Sequence, residues 1–182
     1  MRHFIGGVVP DALLQRLLQA AHHAPSVGLM QPWRFVRVRQ QALREQIHQL
    51  VETERLATAE ALGVRSEEFM QLKVQGVLDC AEVLVAALPE GREAHVFGRR
   101  TLPEMDLASL SCAIQNLWLA ARAEGLGMGW VSLFEPKALA DLLQMPPGAK
   151  PVAILCLGPV AELADARPLS ELLFCDQWGA TE

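Results

Sequence analysis

The chain has 182 residues, with 51% hydrophobic and only 5% aromatic positions, and a formal charge of −5 from 16 Lys plus Arg against 21 Asp plus Glu. That length fits one domain, residues 1–182, able to bury roughly 70% of its unfolded surface without a disulfide or metal staple. The acidic balance excludes a general nucleic-acid binder, which needs a basic face to displace phosphate counterions.

Pro10-Asp11 opens a helical pattern in which Leu13, Leu14, Leu17, Leu18 and Ala21 recur at the three- and four-residue spacing of one buried face. The segment from Pro25 to Pro32 reads as a loop, and Arg34 to Arg39 alternates as a strand does. Gln41 to Ala61 is a polar-faced helix, and Ser66-Glu-Glu-Phe69 resembles a helix start with acid in its first turn. Glu82 to Leu88 and Val152 to Leu157 are short, continuously apolar runs, as in strands covered on both faces. Between them, Pro103 to Gly125 predicts a long helix with Leu107, Leu110, Ile114, Leu117 and Trp118 on one face. Ala108, Ala113, Leu119, Ala120 and Ala121 leave its other side apolar too. A helix apolar all round must be buried all round, and a second copy of the chain is the simplest cover. A central helix buried within one monomer is the alternative. The pattern as a whole is one α/β domain with mixed strand order.

The longest charge-poor helical stretch, Leu107 to Ala121, is shorter than the roughly 20 residues of a membrane span. Met-Arg-His-Phe-Ile-Gly-Gly offers no secretory h-region, so the expected compartment is the cytoplasm. Cys80, Cys112, Cys156 and Cys175 form no C-x-x-C pair, and three of them lie in apolar runs, where cysteine acts as a small hydrophobe. His22 and His23 are adjacent, point about 100° apart on a helix, and cannot chelate one ion. His48 and His95 lack a partner at ligand spacing, and no Walker A, H-E-x-x-H or G-x-S-x-G string occurs. Gly125-Leu-Gly-Met-Gly129 follows a helix and precedes a strand, the reverse of a dinucleotide fingerprint, so Gly125 reads as a left-handed helix cap.

Two segments remain. In His23 to Trp33, two prolines bracket a small-residue turn, presenting backbone amides and the Ser26 hydroxyl outward. Such a loop suits a planar ligand with carbonyl and ring-nitrogen acceptors, and Gln31 offers both a donor and an acceptor. An ordinary helix-to-strand connection closed by prolines is an equal reading of the pattern. Gly127 to Phe134 predicts a strand with Ser132 near its end.

Together, residues 21–35 (AHHAPSVGLMQPWRF), 72–76 (LKVQG), 98–106 (GRRTLPEMD), 113–125 (AIQNLWLAARAEG), 127–134 (GMGWVSLF) and 155–158 (LCLG) resemble the nitroreductase-like flavoproteins, and more closely their 5,6-dimethylbenzimidazole synthase branch. The resemblance runs from residue 2 to about 160 and resumes from Arg167 to Gly179. It implies an α+β fold: a central mixed, mainly antiparallel sheet flanked by helices, in an interlocked homodimer with a flavin in each of two interface clefts. It also implies that reduced FMN is the substrate, fragmented with molecular oxygen to yield 5,6-dimethylbenzimidazole, the lower ligand of cobalamin.

By the same resemblance, Pro25, Ser26, Gln31, Pro32 and Trp33 border the flavin by hydrogen bonds and flat apolar contact. Lys73, Val74 and Gly76 belong to a segment covering the ring and excluding water. Trp130, Val131 and Ser132 lie near the reactive ring, with Ser132 matching the catalytic serine that orients an intermediate or relays a proton. Arg2 and Arg167 are the candidates for the FMN phosphate, which a guanidinium fork grips well. The family's Arg-Arg-Asp-x-x-Arg string is met only at its last arginine, Arg2, so its acid/base Asp has no counterpart in this sequence. The tail passes directly from Gly158-Pro-Val to Ala166-Arg-Pro-Leu, where the family carries a further loop. No nicotinamide motif is present, which leaves the source of reducing equivalents open, NAD(P)H through a separate flavin reductase being one candidate. The rivals are an NAD(P)H-dependent nitro- or quinone reductase, and a non-catalytic flavin-binding dimer.

Overall fold

The computed structural model describes residues 3–71, 74–162 and Leu172. Helix α1 spans Asp11–His22, strand β1 Arg34–Val38, helix α2 Gln41–Leu62 and the short helices α3 and α4 Ser66–Met70 and Gly76–Asp79. Strand β2 (Glu82–Leu88), helix α5 (Met105–Ala123), strand β3 (Gly127–Val131), helix α6 (Pro136–Leu142) and strand β4 (Lys150–Gly158) follow. The strands form one sheet in the order β1-β2-β4-β3. Every pairing among the described residues is antiparallel, with no parallel pair to give the mixed order expected from the sequence.

The sheet carries a hydrophobic core on each face, because successive side chains point to opposite sides. Leu84, Ala86 and Leu88 of β2 join Ala153, Leu155 and Leu157 of β4 against α1 and α5. Val83 and Val85 join Ile154 and Cys156 on the other side, against Ile47 and Val51 of α2, Val77 of α4 and Leu139 of α6. All seven positions of β2 are buried, as a continuously apolar run requires. β4 begins two residues earlier than its apolar run and includes Pro151. That proline pairs with Ala87, where the β2–β4 register shifts, so its missing N–H falls at an existing irregularity of the ladder.

One charge sits inside this apolar frame. Glu82 accepts two hydrogen bonds from Arg37, at 2.8 and 2.6 Å, and Arg37 also pairs with Asp11 at 2.7 Å. The Glu82 and Asp11 hydrogen bonds hold the Arg37 guanidinium well above its ordinary pKa, and Arg37 holds the Asp11 carboxyl below its own. Arg44 of α2 donates to three carbonyls, those of Val38, Cys80 and Ala81, at 3.2, 2.8 and 2.9 Å.

Helix α5 buries Leu110, Ile114 and Leu117 of the predicted face, together with Ala113 and Ala121 from the side expected to be the other one, while Trp118 is only half-buried. Leu107, expected on the buried face, is exposed in the first turn of the helix, and Leu119 of the other side is exposed too. Gly125 follows it at φ +73°, and the Leu126 N–H returns to the Ala121 carbonyl at 2.9 Å, closing the left-handed cap. β3 ends at Val131, short of the strand expected through Phe134, because the chain turns to bury Phe134 in the second core and start α6. Glu135 caps α6 by accepting from the Ala138 N–H at 2.6 Å, with Pro136 in its first turn, a start signal the hydrophobic pattern did not carry. Cys80 and Cys156 are buried, whereas Cys112 is exposed on the outer side of α5; Cys175 lies outside the described residues. A hydrogen bond with Cys80, and then burial, push the Cys156 thiol up, so it stays protonated. Among the described residues no helix is long and apolar enough to cross a membrane.

Candidate functional site

The connection from α1 to β1 is pinned from inside. Its turn at Val27–Leu29 places Gly28, Leu29 and Gln31 at φ +52°, +54° and +47°. Non-glycine residues in this region cost about 1–2 kcal/mol each, so surrounding contacts must hold them there. The Ser26 hydroxyl accepts from the Gln31 N–H at 3.0 Å, and the Leu29 and Met30 amides return to the Ser26 and Val27 carbonyls. Ser26 therefore turns into its own loop, contrary to the expectation that its hydroxyl faces out. The side-chain amide of Gln31 is exposed and has no hydrogen-bond partner among the described residues.

Pro25 is exposed, but Pro32 and Trp33 are buried. The Trp33 ring belongs to the first core, and its Nε1–H donates to His22 Nδ1 at 3.3 Å with the two rings edge to face. Flat contact between Trp33 and a ligand is thus not available in this arrangement: the indole supports the loop from beneath. His23 turns elsewhere, its Nδ1 lying 2.8 Å from the Gln19 carbonyl.

A second segment backs the loop, and the sequence patterns gave it no role. The Val27 N–H donates to the Ser109 hydroxyl on α5 at 3.1 Å. A Cβ added to Gly28 would lie 2.6 Å from the Phe97 ring, 2.8 Å from the Phe97 carbonyl and 3.2 Å from His95 Nε2. A Cβ on Gly98 would lie 2.4 Å from a Val27 methyl. Segment 92–100 is itself tied to α5, where Asp106 accepts from Arg92 Nε at 2.9 Å and Arg99 Nε at 3.2 Å. The available signal was the string from Gly98 to Asp106, which carried part of the resemblance.

The Trp130–Ser132 group stands on the opposite edge. Trp130 is 48% exposed on β3, Val131 is half-buried, and Ser132 is exposed, one residue past the strand. Its hydroxyl has no partner among the described residues. Val131 pairs with Ile154, so Ser132 falls level with Ala153, Ala86 and Phe35, at the end of the sheet where the 25–33 loop enters β1. Three strand spacings separate the two edges, roughly 14 Å.

The structure does not bring all the candidates together. Val74 is buried in the second core, and a Cβ on Gly76 would lie 3.1 Å from the Phe4 ring, so both anchor their segment inward. Lys73, Arg2 and Arg167 lie outside the described residues.

The nitroreductase family model matches residues 1–159. The chain belongs to the nitroreductase family. Within that family it is 40% identical over 172 residues to the 5,6-dimethylbenzimidazole synthase of Rhodobacter capsulatus, covering 93% of this chain and 82% of that protein. It is 37% identical over 177 residues to the Rhodospirillum rubrum enzyme of the same name, covering 94% and 81%. Among solved structures, an iodotyrosine deiodinase bound to FMN and 3-iodo-L-tyrosine superposes with a TM-score of 0.79 at 22% identity, over 97% of this chain and 92% of that one. A BluB-like flavoprotein from Clostridium difficile 630 gives 0.75 at 20% identity, over 97% and 94%. These two establish the likeness of fold; the synthases establish the nearer kinship.

Proposed function

We propose that the chain is a cytoplasmic 5,6-dimethylbenzimidazole synthase that takes reduced FMN and molecular oxygen as substrates. The 40% identity to the Rhodobacter capsulatus synthase over nearly the whole chain carries this reading. Reduced FMN supplies both the electrons and the ring atoms of the product, and a separate flavin reductase supplies the reduced FMN.

The residues present suit a flavin. A planar ring with donors and acceptors along one edge needs a rigid polar frame, and the exposed Gln31 amide sits on a loop pinned by Ser26 and Ser109. The ring face needs flat apolar surface, and half-exposed Trp130 provides it. Ser132 presents an exposed hydroxyl beside it, able to hold or pass a proton at the ligand. The resemblance alone assigns Lys73 to the ring and Arg2 and Arg167 to the phosphate.

The same reading makes the protein a homodimer. Gln31 and Ser132 stand at opposite sheet edges within one chain, so a ring touched by both groups is met from two copies. Exposed Leu29, Phe97, Leu102, Leu107 and Leu119 supply apolar surface for that contact.

The test mixes the protein anaerobically with reduced FMN, admits air, and assays 5,6-dimethylbenzimidazole by chromatography. It is run on the chain as it stands and on a form preceded by the family's Arg-Arg-Asp. Dimethylbenzimidazole release with stoichiometric flavin loss is expected. Only reoxidised FMN from both forms would overturn the proposal, and sustained NAD(P)H oxidation with a nitroaromatic acceptor would favour a reductase.

A further inference from the structure

The string from Gly98 to Asp106 carries a buried charge cluster that none of the proposed flavin contacts uses. Asp106 opens α5 with its side chain only 7% exposed, between Arg92 and Arg99 whose side chains are 11% and 14% exposed. Arg92 also donates to the Pro89 and Gly148 carbonyls, and Arg99 lies 3.9 Å from exposed Glu93. The residues between the two arginines press on the loop: Phe97 and His95 against Gly28, and Gly98 against Val27. One turn along the same helix, Ser109 takes the Val27 N–H from the other side. His95 Nε2 is buried against the loop without a hydrogen-bond partner among the described residues, and the His95 N–H donates to the Arg92 carbonyl at 3.0 Å.

We infer that Asp106 is a positioning residue for the flavin loop: through Arg92 and Arg99 it holds segment 92–100 against Gly28, and so fixes Pro25 to Gln31 in its left-handed turn. The inference rests on the reading that this loop meets the flavin. Its physical basis is charge balance. With the carboxylate present, two guanidiniums converge on one buried anion; with it neutralised, they face each other with only the exposed Glu93 beside Arg99, and the segment they flank moves away. The loop then loses the surface that holds three residues at positive φ.

Asp106→Asn keeps the side-chain volume and removes the charge. Amide hydrogen exchange is followed on the full chain with and without FMN, alongside FMN affinity by fluorescence titration. The variant is expected to exchange the Val27, Leu29, Met30 and Gln31 amides at least about tenfold faster, leave β2 and β4 unchanged, and weaken FMN binding by about tenfold or more. Arg99→Gln, which leaves Arg92 on Asp106, should shift both readouts the same way by less, and decides the matter if Asp106→Asn does not fold. Unchanged loop exchange overturns the inference. So does exchange accelerated equally in β2 and β4, the mark of a merely structural residue, or a loosened loop with unaltered FMN affinity. The underlying reading fails separately: FMN would then leave these amides unprotected in the unmutated protein, whatever Asp106→Asn does.

Discussion

Replacing Gly28 by alanine tests whether the loop and segment 92–100 are locked together. Two costs add. The first is the left-handed backbone at φ +52°, about 1–2 kcal/mol for any residue with a Cβ. The second is the approach of that Cβ to the Phe97 carbonyl at 2.8 Å and ring at 2.6 Å. A ring can rotate, but a carbonyl moves only with its backbone, so overpacking adds about 1–3 kcal/mol. Gly125→Ala is the control, because Gly125 has φ +73° with nothing within 4 Å of its added Cβ. Urea unfolding should show Gly28→Ala destabilised by about 2–5 kcal/mol and Gly125→Ala by about 1–2. Only the first should lose FMN affinity, because only it displaces the loop. Equal destabilisation of the two variants would refute the close approach, and with it the idea that one segment shapes the other.

Ser132→Gly should bind FMN as the unmutated protein does while releasing little 5,6-dimethylbenzimidazole after air is admitted, and unmutated yields would strip Ser132 of its role. Arg37→Met leaves buried Glu82, 9% exposed at its side chain, without its double hydrogen bond, and urea unfolding should show a loss of about 3 kcal/mol. Adding Glu82→Met should recover much of it, since the remaining charge is then gone. Asp11 has its pKa lowered by Arg37, so its contribution to stability is present above the ordinary carboxylate pKa and lost as pH falls through the lower, folded value. Stability curves of Asp11→Asn and the unmutated protein should therefore differ at neutral pH and converge in acid; a constant offset would deny that coupling.

Much of the frame was legible because burial imposes simple periods. The unbroken apolar runs at Glu82–Leu88 and Val152–Leu157 became the two central strands, and the leucine spacing after Pro10 became α1. Gly125 was legible as a cap because only a residue without a Cβ enters that conformation freely. The short helices α4 and α6 were not, since four to seven residues hold too few turns for a period, and the start of α6 is marked by Glu135 and Pro136. At the site, motif strings located the loop and the Ser132 segment but not which way their side chains turn. Ser26 bends back to Gln31 and Trp33 goes to the core because the α1–β1 connection must satisfy its own amides and bury its indole. The grip of Asp106 and Ser109 on that loop depends on residues some eighty positions away coming alongside it, and no local pattern encodes such a meeting.

The central ladder joins β2 to β4, and residues 89–149 lie between them. Zipping it requires closing a long loop before the rungs repay the lost entropy, so folding should be slow for a chain of this size. On the ribosome, at about 5–20 residues per second, the water-averse β2 emerges several seconds before its mate. During that interval β2 can pair only with β1 along one side, leaving its other edge bare and open to chaperones or to neighbouring nascent chains.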